Sequence, residues 1–181
     1  MGPGSGSGGR VYVTNQQDST LSVIDARSYK VLATVKAGEA PEGVAVAPGG
    51  RHVYIANNGI DTGTNRVAAR IPVGKSPVSV TFSRDGSTAY VANSGSGSLS
   101  VINTRTRKVT GNLAAGRSPV GVAVTPDGKS AYVADEVAAR VLAVGTRTRK
   151  ATAVPVGEGP FDVAIGPDGK SVYTAVLGPG Q

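Results

Sequence analysis

Apolar and polar residues alternate along most of the chain in short segments, most clearly between residues 78 and 116. The alternating segments there are Val78–Phe82, Ala89–Asn93, Leu99–Asn103 and Val109–Gly116, and the turns SRDG, SGSGS and TRTRK separate them. A period of two residues is typical of a half-buried β-strand, because successive side chains point to opposite faces. Four such segments joined by short turns predict a four-stranded antiparallel meander.

The same pattern recurs along the chain, with a tyrosine near the start of one strand as its marker. These tyrosines are 42, 36, 42 and 41 residues apart, and they are Tyr12, Tyr54, Tyr90, Tyr132 and Tyr173. The repeats cover about residues 10–50, 51–86, 87–128 and 129–169, with a partial copy at 170–181. Meanders of this length repeated side by side are typical of β-propeller blades. The sequence therefore predicts an all-β propeller of four-stranded blades over residues 10–181, after a flexible Gly/Ser-rich segment at 1–9.

Several short sequence motifs recur in a fixed order, and this order is similar to that of a known family. YVTN or YVAN is followed by SVID or SVIN, then by a threonine-rich turn and by a segment like SPVGVAVTPDGK. This order resembles the YVTN-family β-propeller repeat over nearly all of Arg10–Val176. The resemblance implies a propeller and suggests an extracytoplasmic or cell-surface bacterial parent. The resemblance does not indicate a particular reaction, and we expect no cofactor. Residues 1–9 lack the basic and apolar regions of a secretion signal.

The repeats are unequal, which leaves the closure of the ring open. The second repeat lacks about six residues of its third strand, so the stump NNGIDTGTNRV is expected to form a loop or a partial strand. Phe161–Ile165 is a first strand without a blade, and pairing it with the N-terminal blade would close a four-bladed ring. The alternatives are a partial ring or a ring completed by dimerisation. A partial ring would expose apolar blade faces and favour self-association.

Composition narrows the possible chemistry. Aromatic residues make up 4% of the chain and tryptophan is absent, so the core must consist of Val, Ala, Ile and Leu. Cysteine is also absent, which excludes disulfides, thiolate nucleophiles and cysteine-based metal sites. No apolar run approaches the roughly 18 residues that a membrane span needs. A formal GxGxxG at Gly4, Gly6 and Gly9 precedes a strand and opens no helix, so it does not indicate dinucleotide binding.

Few residues have the character of catalytic or metal-binding groups. His52 is the only histidine, and we expect it to be a surface turn residue. Asp135 and Glu136 are adjacent, so an extended chain would point them to opposite sides, and a solvated turn is expected. The repeated turn aspartates and strand-end asparagines are expected to bond the backbone of their turns. These residues are Asp85, Asp127, Asp168, Asn15, Asn57 and Asn93, and Asp135 takes the place of the fourth asparagine.

Charge is sorted between the two faces that a row of blades would have. The first and third turns of a four-stranded meander share one face, and the second turns and blade linkers share the other. This rule assigns 14 of the 19 basic and five of the 12 acidic residues to the first face, a balance of +9 against −2 on the other. The two TRTRK turns supply the candidate anion-binding residues, which are Arg105, Arg107, Lys108, Arg147, Arg149 and Lys150.

Three functions are compatible with these features. The favoured one is a non-catalytic scaffold or interaction module that binds a protein or a cell-surface polymer. A partial or degenerate lyase-like or lactonase-like propeller is the alternative. The third is a polyanion binder that uses the basic turns, although the sequence favours the simpler interpretation that these turns keep the protein soluble and prevent edge pairing. Nucleic acid is the weaker choice of polyanion, because no stacking aromatics are interleaved with the basic residues.

Overall fold

The computed structural model describes residues 9–50, 52–57 and 70–178. Most of the Gly/Ser-rich segment, with Gly4 and Gly6 of the GxGxxG pattern, lies outside this part of the chain, as does the stump from residue 58 to 67. The described residues form fifteen strands in five antiparallel sheets. The strands are β1 Arg10–Asn15, β2 Thr20–Asp25, β3 Val31–Lys36, β4 Pro41–Val46, β5 Val53–Asn57, β6 Pro77–Phe82, β7 Thr88–Asn93, β8 Ser98–Asn103, β9 Lys108–Ala114, β10 Pro119–Val124, β11 Ser130–Asp135, β12 Arg140–Gly145, β13 Ala151–Pro155, β14 Pro160–Ile165 and β15 Val172–Val176.

Each sheet is a meander of strands that follow one another in sequence. The third and fourth sheets, β6–β9 and β10–β13, have the four strands that the alternation predicts. The first sheet holds β1, β2 and β3, so it lacks the innermost strand, as expected from the sequence. In the described residues the second and fifth sheets pair two strands each, β4 with β5 and β14 with β15. The all-β propeller prediction is confirmed.

The first strands of successive blades pack beside one another and hold the sheets in a row. β4, β6, β10 and β14 each begin with a buried proline, at Pro41, Pro77, Pro119 and Pro160. Gly43 of β4 lies so close to β6 that a β-carbon there would be 2.6 Å from the Val78 carbonyl oxygen. A side chain would therefore push the two inner strands apart, since glycine permits close approach of backbones.

The best-packed part of the core lies between the third and fourth sheets. It contains no large aromatic side chain except Tyr90, in keeping with the composition. The buried residues of this cluster are Tyr90, Ala92, Leu99, Leu113, Ala115, Val122, Ala131, Val133, Leu142 and Val144. Small and branched side chains of this kind fit between closely stacked sheets.

Backbone hydrogen bonds sort the turns onto two faces. On one face the third turn of a blade donates to the residue before the second strand, and we call it the TRTRK face. These bonds, 2.8–3.0 Å long, run from Ala26 N to Gly9 O, from Thr104 N to Ser87 O and from Thr146 N to Lys129 O. On the linker face the blade linkers bond the second turns. These bonds, 3.0–3.1 Å long, run from Ala37 N to Ser19 O, from Ala115 N to Gly97 O and from Val156 N to Ala139 O.

The four-bladed closed ring is not formed. β14 pairs with β15, its neighbour across the short turn at 166–171, and no sheet joins β14 to β1 among the described strands. β15 occupies the edge of β14 that Val11–Asn15 would have needed, and a local hairpin costs less loop-closure entropy than a pairing across the whole chain. The terminal sheets therefore expose apolar side chains. Leu32 is 54% exposed on the first sheet, and Phe161 and Tyr173 are 55% and 64% exposed on the last.

Candidate functional site

The first TRTRK turn is held by the residue that precedes it. The Asn103 side-chain oxygen accepts hydrogen bonds from the Thr106 backbone N–H at 2.9 Å and from its hydroxyl at 3.1 Å. The Arg107 N–H then donates to the Asn103 carbonyl at 2.8 Å, and Arg107 has a φ of +56°. Such a left-handed conformation is uncommon for a residue other than glycine. The turn geometry, and hence the position of its basic side chains, is fixed by the backbone.

The second TRTRK turn has the same backbone from a different starting residue. The Arg149 N–H donates to the Gly145 carbonyl at 2.8 Å, and Arg149 has a φ of +59°. Gly145 has no side chain to cap the turn, but Lys150 N–H donates to the Thr148 hydroxyl at 3.4 Å. The two turns therefore present equivalent basic residues in equivalent positions on neighbouring blades.

The threonine that opens each TRTRK turn is structural. The Thr104 hydroxyl donates to the Gly86 carbonyl, and the Thr146 hydroxyl donates to the Gly128 carbonyl, both at 2.7 Å. These bonds fasten the third turn to the first turn of the same blade. All six predicted anion-binding residues, Arg105, Arg107, Lys108, Arg147, Arg149 and Lys150, are exposed.

The two basic turns are brought together across the boundary between the third and fourth sheets. The guanidinium of Arg149 lies over Gly111 of β9, and a β-carbon at Gly111 would be 3.3 Å from Arg149 Nη2. The absence of a side chain at Gly111 therefore leaves room for an arginine from the next blade. Arg149 thus lies against the strand that Lys108 of the first turn begins.

The acidic residues of the TRTRK face are bound into their own turns, as the sequence predicted. The Asp85 carboxylate accepts a 2.6 Å hydrogen bond from the Ser83 hydroxyl and a 3.1 Å bond from the Ser87 N–H, which lower its pKa. The pKa of Asp127 is lowered in the same way, first by the Thr125 hydroxyl. Asp168 likewise accepts the Lys170 N–H at 3.0 Å. All three carboxylates cap their turns, and the lowered pKa of Asp85 and Asp127 favours their charged form.

A cavity of about 260 Å³ opens on the TRTRK face between the second and third sheets. His52 and Tyr54 border it on one side, and Arg105 and Arg107 border it on the other. The complete lining is Ala47, Pro48, His52, Tyr54, Gly86, Thr104, Arg105 and Arg107. His52 is exposed, as predicted, but the sequence did not indicate that it faces two arginines of the next blade.

The expectation of a solvated Asp135 is wrong. Asp135 is fully buried, and its Oδ1 accepts the backbone N–H groups of Arg117 and Ser118, both at 2.9 Å. Its Oδ2 pairs with Arg140 Nε at 2.9 Å. The residue occupies the end of β11, where the chain turns inward against the blade linker, and burial follows from that position. Its role is to join the linker to the blade.

The strand-end asparagines bond the start of the following strand. Asn15 Nδ2 donates to the hydroxyls of Thr20 and Ser22, both at 2.9 Å. Buried Asn93 makes the equivalent bond to the Ser100 hydroxyl at 3.0 Å. The side-chain oxygens of Asn57 and Asn93 have no hydrogen-bond partner within the described residues. Repetition of these bonds agrees with a structural role.

The described residues contain no group of three His, Asp or Glu side chains that could hold a metal ion. They also contain no helix of the length and apolarity needed to cross a bilayer.

Comparison with known proteins supports the fold and leaves the family open. No protein-family model matches the chain. The structure resembles Kuenenia stuttgartiensis hydrazine synthase, with a TM-score of 0.78 and 25% identity over 90% of this chain and 51% of the other. It also resembles a candidate 6-phosphogluconolactonase from Bacteroides uniformis, with a TM-score of 0.69 and 17% identity over 94% of this chain and 61% of the other. These neighbours are β-propeller proteins.

One curated relative matches a short stretch of the sequence. The PE-PGRS family protein PE_PGRS18 of Mycobacterium tuberculosis is 49% identical over 41 residues. That stretch is 23% of this chain and 9% of the relative. The chain therefore spans a small part of this relative and about half to three-fifths of the propellers that it resembles.

Proposed function

We propose that this chain is a non-catalytic interaction module of propeller blades that binds an anionic polymer through the TRTRK face. The observation that carries the proposal is the arrangement of six exposed basic residues on two equivalent turns of neighbouring blades. Arg149 of the second turn reaches over Gly111 of β9, the strand that follows the first turn. A polymer that carries sulfate, phosphate or carboxylate groups could contact both turns at once.

The balance of charge on this face supports the same conclusion. The turn rule assigns twelve basic and four acidic residues of the described chain to the TRTRK face, against five basic and seven acidic residues on the linker face. A one-sided positive field attracts a polyanion and orients it before contact. The four acidic residues offset little of it, since they are dispersed among separate turns.

The residue types favour oxyanion recognition over a general solubilising role. Four of the six basic residues in the two turns are arginines, whose planar guanidinium donates paired hydrogen bonds to sulfate, phosphate or carboxylate. The threonine hydroxyls and the turn hydrogen bonds already fix the backbone from which these arginines extend, so a ligand does not have to order the turns themselves.

Heparin affinity chromatography at low ionic strength tests the proposal. Replacing Arg105, Lys108 and Arg147 by glutamine should reduce the salt concentration needed for elution well below that of the parent chain. The matched control replaces Lys36, Lys75 and Arg117, which are exposed on the linker face, and removes the same charge. The control should elute close to the parent. Equal loss of retention in both triple variants would show that net charge alone is responsible, and unchanged retention in the first would refute polyanion binding there.

A lactonase-like activity is the second candidate, and the lactonase candidates among the structural neighbours favour it. Their identity to this chain is 16–17%, which carries the fold alone. Hydrolysis of 6-phosphogluconolactone, followed by base uptake at constant pH, tests it. A rate above the spontaneous one that follows the protein concentration would establish the activity and overturn the non-catalytic proposal.

A further inference from the structure

The cavity between the second and third sheets lies where the repeat departs from its own pattern. In the third, fourth and fifth sheets the first turn carries an aspartate, at Asp85, Asp127 and Asp168. The second sheet has Gly49 at that position, in the turn Ala47–Gly50. The residue before its second strand also differs. His52 stands where the other sheets have a small hydroxyl residue, namely Thr88, Ser130 and Ser171.

The conformation of this turn explains the missing carboxylate. The Gly50 N–H donates to the Ala47 carbonyl at 2.9 Å, and Gly49 between them has a φ of +90°. A positive φ at the third position of a four-residue turn is typical of type II, which requires glycine there. Asp85 and Asp127 are not among the positive-φ residues, so their turns have a different backbone. The backbone conformation of this turn favours glycine at the position where the other first turns have aspartate.

Loss of this acid changes the charge at the cavity. In the third sheet, burial raises the pKa of Tyr90, and the negative charge of Asp85 raises it further. The carboxylate of this turn thus acts on the tyrosine of its own blade. Tyr54 is the equivalent tyrosine of the second sheet, and it lines the cavity. The second sheet thus has no carboxylate in its first turn, and three residues further on it has an imidazole that lines the cavity together with Arg105 and Arg107.

We infer that this cavity is a subsite for a single tetrahedral oxyanion, a phosphate or sulfate group carried by the partner, held by His52, Arg105 and Arg107. This inference rests on the proposed function for its biological partner but concerns a discrete site. The volume of about 260 Å³ is smaller than that of sites for drug-sized ligands. It suits an oxyanion and part of the group that bears it. Tyr54 packs edge-on against Phe82, with ring centroids 4.9 Å apart, and gives the cavity a fixed wall.

The single histidine provides a direct test, because its ring resonances belong to one residue. Inorganic phosphate and inorganic sulfate are titrated at constant pH and ionic strength while the imidazole resonances of His52 are followed by NMR. We expect a saturable shift with both ions. Glycerol phosphate and glucose 6-sulfate then distinguish a phosphorylated from a sulfated partner by which one binds more tightly. A linear response no larger than that to chloride would overturn the subsite.

Two variants and a control locate the binding. Arg105→Gln should weaken oxyanion binding at least about tenfold, the effect of losing one charge-assisted pair. The double change Ala47→Thr and Gly49→Asp rebuilds the TPDG turn of Thr125–Gly128, which is folded in this chain, and should weaken binding as much. Arg117→Gln removes the same charge from the linker face and should leave the His52 response unchanged. Equal weakening by Arg117→Gln, or none by Arg105→Gln, would contradict a discrete subsite.

Heparin retention of the same variants separates the two proposals. If the His52 resonances do not respond but the parent chain is retained, the subsite is wrong and the polyanion face stands. If they respond saturably but replacing both TRTRK turns leaves retention unchanged, the subsite stands and the proposed polyanion face is wrong.

Discussion

The buried pair of Asp135 and Arg140 gives the sharpest prediction about how this chain is held together. In the third sheet the equivalent positions are Asn93 and Ser98, whose side chains hydrogen-bond one another at 3.2 Å. The fourth sheet thus replaces a neutral pair by an ion pair at 2.9 Å. The perturbation is the exchange of one pair for the other, first one residue at a time and then both together.

The magnitude follows from the hydrogen bonds of each variant. Asp135→Asn can keep an acceptor for the two backbone N–H groups but presents an amide donor to Arg140 Nε, a loss of about 2–3 kcal/mol. Arg140→Ser leaves a fully buried carboxylate without its counter-ion, which costs about 3 kcal/mol or more. The double variant restores an uncharged pair and should cost about 2–3 kcal/mol. The coupling energy, which is the sum of the two single losses less the loss of the double variant, is then about 3 kcal/mol or more.

Urea unfolding followed by far-ultraviolet circular dichroism measures all four free energies, and it suits a chain without tryptophan. The denaturant slopes of the four proteins must agree for the comparison to hold. Losses that add within about 0.5 kcal/mol would show that the two residues act independently. That result would refute the view that Asp135 is a structural replacement for asparagine.

Three further predictions follow from the described contacts. Burial and the charge of Asp85 raise the pKa of Tyr90 and so disfavour its ionisation in the folded chain. The stabilising effect of neutral Tyr90 should therefore be present below about pH 10 and be lost as the pH rises through the folded pKa. Tyr90→Phe should flatten this alkaline loss of stability in thermal melts at successive pH values, and an identical loss in both proteins would contradict it. Gly116 has a φ of +105°, and a β-carbon there would meet the Asp135 carboxylate, so Gly116→Ala should destabilise the fold by about 3 kcal/mol or more. Gly128 has a φ of +69° and nothing within 4 Å of its β-carbon position, so Gly128→Ala should cost about 1 kcal/mol. Equal urea midpoints for the two variants would rule out the contact with Asp135. The exposed apolar side chains of the terminal sheets should cause self-association that increases with concentration and can be measured by light scattering. The double variant Phe161→Ser with Tyr173→Ser should reduce it, whereas the control Tyr29→Ser on a TRTRK-face turn should not. A parent chain that stays monomeric at high concentration would contradict this.

Much of the fold could be predicted because the alternation of apolar residues is local. The four segments between residues 78 and 116 became β6, β7, β8 and β9 with nearly the predicted bounds. The closure of the ring depends instead on which of two strands pairs with β14. Both Val11–Asn15 and Val172–Val176 carry the same pattern, so the alternation could not choose between them. The shorter connection decided in favour of β15.

The burial of Asp135 escaped prediction because its partners are distant in sequence. The two N–H groups that it accepts lie 17 and 18 residues earlier, in the blade linker. Adjacent acidic residues in a turn therefore looked solvated. Comparison of the repeats does indicate that Asp135 has a partner. Asn93 and Ser98 of the third sheet are both replaced in the fourth sheet, by Asp135 and Arg140.

The cavity at His52 was missed for a related reason. A single histidine in a turn carries little information, and Arg105 and Arg107 lie more than 50 residues away in sequence. The change from aspartate to Gly49 in the same turn is visible in the sequence, but taken alone it indicates only that the turn does not need the acid. The effect of this change on the charge around the cavity depends on the third turn of the next blade, whose Arg105 and Arg107 line the same cavity.

Lysine acetylation footprinting, with and without a heparin hexasaccharide, tests the proposed binding face most directly. Lys108 and Lys150 belong to the two TRTRK turns, whereas Lys36 and Lys75 are exposed on the linker face. Bound polymer should slow the acetylation of Lys108 and Lys150 and leave Lys36 and Lys75 as reactive as in the free protein. Protection of the linker-face lysines alone, or equal protection of all four, would contradict binding through the TRTRK face.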